Sequence, residues 1–319
     1  RSWWLRLLSG VIIGVVVSIN SGFICYIAYV MLSKKFNKST LASNLCMITW
    51  TFQATMSMLF LAYWQSTSQA CRVLKLLYAA NKGKGISRRS ERLKKIVRTF
   101  YFVVVLLMTH FIVKMITFVA GKLRGSADPE IIQVYRDPRY FILYFLAMLY
   151  TTACWNVALF IYSLIVHAME FEFSYFNDQV RSISCDEQKY ETDDTICEYI
   201  QKLLKIHSQL ADCVKRIDRM FNRYAFTMIA TIIPTTIFSL LVTVRNGDIP
   251  LLERKLEVFF NFPLVIFCVA SFIALTDSPS KLHATITSTK AALCANTRIW
   301  FPYRPAVYHA ALAFACHLD

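Results

Sequence analysis

Six apolar stretches, each long enough to cross a bilayer as a helix, constrain what this chain can fold into. They cover about residues 7–32, 41–64, 97–120, 140–167, 224–244 and 256–275. A helix needs roughly 20 apolar residues to cross a hydrocarbon core about 30 Å thick. Inside a bilayer the backbone must satisfy its own hydrogen bonds. The pattern therefore predicts an all-α, polytopic transmembrane helical bundle with six visible spans.

The distribution of Lys and Arg between the spans predicts the orientation of the chain. The segment from Arg72 to Arg98 contains ten basic residues against the single acid Glu91. Loops that stay in the cytoplasm are enriched in Lys and Arg. We therefore place this segment and the amino terminus inside the cell. Its charge is typical of a topology signal that can also contact anionic membrane lipid, and we predict no nucleic-acid partner.

Four regions follow from this topology. Residues 1–167 are predicted to form spans one to four, with the basic cytoplasmic loop at 65–96. Residues 168–223 are predicted to form long cytoplasmic helices, 224–275 to form spans five and six, and 276–319 to form a cytoplasmic tail.

The segment before span five is predicted to be one long helix. Apolar residues recur there every three or four positions, and neither Gly nor Pro occurs from Cys197 to Ile233. The pattern predicts a helix of roughly 45 residues, near 70 Å at 1.5 Å per residue, which is longer than a bilayer is thick. Its apolar stripe outside the membrane needs partners. We predict subunit contacts at Leu203, His207, Leu210, Val214, Ile217 and Phe221, with His207 as a structural residue.

Polar and aromatic side chains within the spans are the candidate ligand-binding residues. Such groups are costly in a bilayer unless they face a pocket or a neighbouring helix. A cavity with aromatic walls and few polar anchors is typical of small-molecule sites. Helix packing is the alternative for each residue, and Lys114 can also extend to the membrane surface. The candidates are Trp50, Gln53, His110, Lys114, Tyr144, Tyr150, Thr151, Thr236 and Asn261.

The sequence shows few signs of catalysis or metal binding. The ten cysteines are scattered, without a CxxC pair, and no catalytic motif occurs. We therefore predict no enzyme activity, no cofactor and no metal site.

Asn37 begins the one glycosylation sequon, which falls on the outer side. Small residues at steps of four in span one predict a close helix contact, within the chain or between subunits. These are Gly10, Gly14, Ser18 and Gly22.

Two stretches resemble the arthropod gustatory receptors and their invertebrate relatives. The run from Phe173 to Asn177 is similar to the family's exit from span four. The approach to span five also matches, at Leu203, His207, Leu210, Ile217 and Phe221, with Asp218 where the family often has Asn. The resemblance implies a plasma-membrane chemosensory channel, gated by a small-molecule tastant and selective for cations. It also implies a homo- or hetero-tetramer of related subunits.

The resemblance raises one expectation that this sequence does not meet. The family has a seventh span with a Thr-Tyr and Gln motif that lines the pore, and no such motif follows residue 275. We therefore expect the last span to be missing from this chain. A fragment of a G-protein-coupled receptor and a transporter are the alternatives. Against the first, the Asp-Arg-Tyr-like and Asn-Pro-x-x-Tyr motifs are absent, and against the second, no internal repeat is found.

Overall fold

A computed structural model describes residues 3–33, 38–123, 138–183, 193–245, 251–301 and 303–318. These residues form helices joined by short turns, and no strand occurs among them. Six helices are long and apolar enough to cross a membrane. The predicted fold class, a polytopic all-α membrane bundle, is confirmed. The helices are α1 Trp3–Ser33, α2 Lys38–Ser66, α3 Gln69–Asn81, α4 Lys84–Arg88, α5 Ser90–Leu123, α6 Pro138–Ser182, α7 Asp193–Arg245, α8 Leu251–Cys294, α9 Thr297–Trp300 and α10 Pro305–His317.

Three of these helices are more than twice as long as the hydrocarbon core of a bilayer is thick. Helix α7 has 53 residues, α6 has 45 and α8 has 44. At 1.5 Å per residue even the shortest measures about 66 Å, against a hydrocarbon core of about 30 Å. Asp193 and Asp194 occupy the first turn of α7, where negative charge complements the helix dipole. The single long helix predicted before span five is therefore present, with additional turns at both ends.

The chain divides into two units. The span unit comprises residues 1–67, 98–161 and 223–275, and the extension unit comprises residues 68–97, 162–222 and 276–319. Helices α5, α6, α7 and α8 contribute residues to both units because each runs across a boundary.

Helix α1 packs through one face in the span unit. Val16, Asn20, Phe23 and Ile27 are buried at helical spacing. The Asn20 side chain donates a hydrogen bond to Thr55 Oγ1 on α2 at 2.9 Å. The ring of Phe23 stacks on that of Tyr144 on α6, with 3.9 Å between ring centroids. These contacts fix α1 against α2 and α6.

The small residues of α1 lie on a different face. No atom of the described chain comes within 4 Å of a Cβ built at Gly10, Gly14 or Gly22. The prediction of a close helix contact there within the chain is therefore wrong for the described residues, because the packed face of α1 is the Val16–Ile27 face. A contact between subunits stays a prediction.

In the extension unit, α6 and α8 run in parallel. The Asn177 amide donates to the Thr285 carbonyl at 2.8 Å and to Ser288 Oγ at 2.9 Å, and it accepts from Thr289 Oγ1 at 2.7 Å. His167 on α6 bonds to Ser278 on α8, and Asn177, ten residues later on α6, bonds to residues 285–289 of α8, so the two helices run in the same direction. Spans four and six are predicted to cross in the same direction, so this arrangement agrees with the expected topology.

Helix α10 completes the extension unit. It begins with Pro305, at the first helical position, where the missing N–H of proline has no cost. Val307, Ala311 and Phe314 are fully buried and share one face at steps of four and three. Phe314 packs against Phe176 on α6, with 6.3 Å between ring centroids.

Candidate functional site

Three aromatic rings from three helices meet inside the span unit. Trp50 on α2 contacts Trp155 on α6 edge to face, with 4.7 Å between centroids. Phe267 on α8 lies 4.9 Å from Trp155 and 6.0 Å from Trp50. All three are buried, and Trp155 is wholly inaccessible to solvent. We call these residues the aromatic triad. Edge-to-face contacts of this kind hold rings in a fixed arrangement.

Buried polar groups with unmade hydrogen bonds adjoin the aromatic triad along the chain. Both amide atoms of Gln53, one turn after Trp50, lack a hydrogen-bond partner among the described residues. The same holds for the Trp155 indole N–H, Asn156 Oδ1 and Thr152 Oγ1. All four side chains are at most 1% exposed. We call Gln53, Thr152, Trp155 and Asn156 the unpaired polar set.

Unmade hydrogen bonds in a protein interior require an explanation. The great majority of buried polar atoms have a partner, and an unmade bond costs about 1–3 kcal/mol. The Asn156 amide nitrogen follows the rule, since it donates to the Thr152 carbonyl at 2.8 Å. The remaining donors and acceptors of the unpaired polar set are therefore candidates for binding a polar ligand.

Two of the predicted ligand-binding residues belong to this candidate site, and two others lie elsewhere in the span unit. Trp50 is in the aromatic triad and Gln53 in the unpaired polar set. Thr236 is half-buried on α7, and its hydroxyl donates to the Ile232 carbonyl at 2.7 Å within its own helix. Tyr144 is buried against Phe23, with its hydroxyl 3.5 Å from Thr51 Oγ1.

The other predicted residues are not brought to the site. Tyr150 is 41% exposed, on the outer surface of the span unit. Thr151 is buried, but its hydroxyl donates to the Ala147 carbonyl at 3.0 Å within its own helix. His110 is half-buried on α5. The side chains of Lys114 and Asn261 lie outside the described residues, as does Asn37.

Sequence reasoning missed Trp155, Asn156, Thr152 and Phe267. A signal for one of them was present, because Asn156 is the one Asn between residues 140 and 167. A buried amide in a membrane span is costly and therefore often functional. Span four is apolar on all sides, so its periodicity does not distinguish the inner face from the face toward lipid.

The predicted subunit-contact residues lie inside the extension unit. Leu203, Leu210, Ile217 and Phe221 are at most 5% exposed, and Val214 is half-buried. The chain's own helices therefore cover this apolar stripe without a second subunit. Their role in assembly stays a prediction.

His207 lies in an aromatic environment in the extension unit. Its ring centroid is 5.7 Å from that of Phe176, 6.0 Å from Phe314 and 6.2 Å from Phe173. The exposed His317 ring lies 5.5 Å away. Burial, and secondly the charge of His317, lower the pKa of His207 to about 4. His207 therefore packs as a neutral side chain at physiological pH.

A second polar cluster in the extension unit has the connectivity of a hydrolase triad. His167 Nδ1 lies 3.0 Å from Glu170 Oε2, and His167 Nε2 lies 3.1 Å from Ser278 Oγ. Ser278 is 2% exposed and sits in the middle of α8. Backbone N–H groups in a helix interior bond within the helix, so they cannot stabilise an oxyanion. The cluster links α6 to α8 and lacks the access that catalysis needs.

Within the described ranges, no group of three or more His, Cys, Asp and Glu side chains is arranged to hold a metal ion.

Comparison with known proteins identifies the family. A family model described as 7tm chemosensory receptor matches residues 1–289. The chain belongs to the 7tm chemosensory receptor family. The match confirms the resemblance to invertebrate gustatory receptors and assigns this membrane receptor a chemosensory role. No curated protein sequence matches the receptor significantly.

Proposed function

We propose that this chemosensory receptor is a subunit of a gustatory-type, ligand-gated cation channel of the plasma membrane. Its ligand binds in the span unit, at the aromatic triad and the unpaired polar set. One observation carries this proposal, namely the unmade hydrogen bonds of Gln53, Trp155 and Asn156 beside packed aromatic rings.

The chemistry of these groups defines a ligand class. Aromatic rings offer apolar faces, while Gln53 offers both a donor and an acceptor. The Trp155 indole adds a donor and Asn156 Oδ1 adds an acceptor. None of these side chains carries a charge. The ligand that fits is a neutral small molecule with an apolar face and hydrogen-bonding groups on one edge.

Ligand binding drives opening only when the open state binds the ligand more tightly than the closed state. The site draws on α2, α6 and α8, so a ligand that bonds to Gln53 and Asn156 joins two different helices. In the channel, four subunits surround the pore, and the long α7 contributes to subunit contacts. These contacts would use exposed positions of α7, because most of the residues predicted for them, Leu203, His207, Leu210, Ile217 and Phe221, are buried by the chain's own helices.

A binding experiment tests the site. We expect neutral ligands from a panel to raise the thermal unfolding temperature of the purified receptor, while charged analogues do not. Trp155→Phe keeps the ring but removes the N–H donor, so affinity should decrease about tenfold. Tyr150→Phe, on the exposed surface of the same helix, is the matched control. Equal affinity in wild type and Trp155→Phe would refute the site.

The location of the amino terminus separates the channel from a G-protein-coupled receptor. A tag at the amino terminus of the full-length protein should be accessible only after the cells are permeabilised. An amino terminus that is labelled on intact cells would favour the G-protein-coupled alternative.

A further inference from the structure

The basic segment between spans two and three is helical. We call residues 69–97, which comprise α3, α4 and the first turns of α5, the basic elbow. Two of its basic side chains form ion pairs among the described residues. Lys94 pairs with Glu91 at 2.7 Å, and Arg88 pairs with Asp178 at 3.3 Å. Several exposed cations of the basic elbow have no acidic partner among the described residues, and these are Arg72, Lys75, Lys82, Lys84, Arg92 and Lys95.

The basic elbow is held firmly against α6. The Ile86 N–H donates to Glu172 Oε1 at 3.0 Å, and Glu172 is wholly buried. Arg89 donates to Ser174 Oγ and lies over the Phe171 ring, 5.8 Å from its centroid. These contacts fix the turn that leads into α5, so the cations on α5 are presented in a defined direction.

Helix α5 carries two of the unpaired cations toward the membrane. Arg92 and Lys95 are exposed and lie nearly one turn apart on a helix that continues without interruption to Leu123. Tyr101 and Phe102, which are 70% and 66% exposed, follow on the same helix. Exposed aromatic residues at the start of a span are typical of the bilayer interface. Six residues separate Lys95 from Tyr101, a rise of about 9 Å.

We propose that Arg92 and Lys95 bind the phosphate groups of anionic lipids in the leaflet that α5 enters. Lys95 lies about 9 Å and Arg92 about 14 Å before Tyr101 along the helix, roughly one and two Debye lengths at physiological ionic strength, so the field of that surface acts most strongly on Lys95 and more weakly on Arg92. The lipid headgroup is favoured over a soluble anion because these cations lie on α5, about two to three turns before the exposed aromatic residues at the start of its span. Arg92 offers a planar donor fork for phosphate, and Lys95 adds a compact charge.

Lipid titration of the purified full chain tests this proposal. Native mass spectrometry in detergent counts bound phosphatidylserine, phosphatidylinositol bisphosphate and phosphatidylcholine at increasing lipid concentration. We expect both anionic lipids to bind more tightly than phosphatidylcholine. The double variant Arg92→Gln/Lys95→Gln should lose up to about 25-fold in affinity for anionic lipid, since each cation near the surface contributes at most about fivefold. The loss should shrink as salt is raised.

A matched control is available on α7. Lys202 and Lys205 are exposed, have the same spacing, and lie about 28 Å along the helix from residue 224, where span five is predicted to begin. Lys202→Gln/Lys205→Gln removes the same charge and should leave lipid affinity unchanged.

Three results would overturn the proposal. The first is an equal loss in the α7 control, which would show that only net charge matters. The second is phosphatidylcholine binding as tightly as the anionic lipids. The third is a soluble inositol phosphate binding more tightly than the lipid, which would make the site one for a soluble anion. None of these results bears on ligand binding in the span unit.

Discussion

The backbone of Gly85 lies against that of Glu172, and a Cβ added at Gly85 would come within 2.8 Å of the Glu172 Cα. The same Cβ would lie 2.6 Å from the Phe171 carbonyl oxygen. Both neighbours are backbone atoms of α6, which cannot move aside cheaply. Gly85→Ala should therefore destabilise the docked basic elbow by about 1–3 kcal/mol. Trypsin cleavage after Lys82 and Lys84 should accelerate accordingly.

Gly10→Ala is the control for this substitution. Nothing lies within 4 Å of a Cβ at Gly10, and the residue is inside α1. Alanine there should be neutral or slightly stabilising, because it favours the helix. If Gly85→Ala left the cleavage rate unchanged, the close packing on α6 would be wrong.

Glu172 should stabilise the docked basic elbow through the carboxylate oxygen that accepts a hydrogen bond from the Ile86 N–H. Glu172→Gln keeps an oxygen for the Ile86 N–H, whereas Glu172→Leu leaves that donor unpaired. The leucine variant should therefore lose about 1–3 kcal/mol of docking free energy, and the glutamine variant should lose much less. The trypsin assay compares the two directly. Equal cleavage rates would show that the hydrogen bond is unimportant.

His207 predicts how stability depends on pH. Burial and the charge of His317 lower the pKa of His207 from 6.5 to about 4. The unfolded chain therefore takes up a proton at a higher pH than the folded chain does. The free energy of unfolding should fall as the pH is lowered from 6.5 to about 4, by up to about 3 kcal/mol from this residue.

Thermal unfolding of the full chain between pH 7 and pH 4.5 measures this effect. His207→Phe removes the titrating group from its surroundings of Phe173, Phe176 and Phe314, and it should flatten the pH dependence. His309→Gln, at an exposed position of α10, is the control and should leave the slope intact. A slope unchanged by His207→Phe would assign the pH dependence to other groups.

Replacing Gln53 with an apolar residue should stabilise the ligand-free receptor and weaken ligand binding. Its two amide atoms are buried and lack partners among the described residues. Gln53→Met has a similar volume and removes both polar atoms, so it should raise the unfolding temperature of the ligand-free receptor. The same change should weaken ligand binding about tenfold or more, since two hydrogen bonds are lost.

Gln65→Met, at an exposed position of α2, is the matched control for Gln53→Met. It should change neither stability nor affinity. If Gln53→Met lowered the unfolding temperature, the Gln53 amide would have structural partners and would not be reserved for a ligand.

The sequence was sufficient for the long helices, because their signals are local, whereas the short helices α3, α4, α9 and α10 were not predicted. The period of three to four before span five predicted α7, and the lengths of the apolar stretches predicted the spans. The outcome for the candidate site was mixed. Trp50 and Gln53 were predicted, whereas Trp155 was missed, because an all-apolar helix does not reveal which face is turned inward. Leu203 and Leu210 were predicted to need a partner subunit, but the chain's own helices bury them. The burial of these residues depends on contacts between segments that are far apart in the chain, which local sequence patterns do not reveal.

Agonist-evoked current through excised membrane patches tests the central claim most directly. The full-length reading frame that contains this chain should be expressed in cells, and patches should be perfused with neutral ligands in the absence of GTP. We expect a cation current that appears on ligand addition, with a concentration dependence shifted about tenfold by Trp155→Phe and unchanged by Tyr150→Phe. A response seen only in intact cells, and lost without GTP, would contradict it.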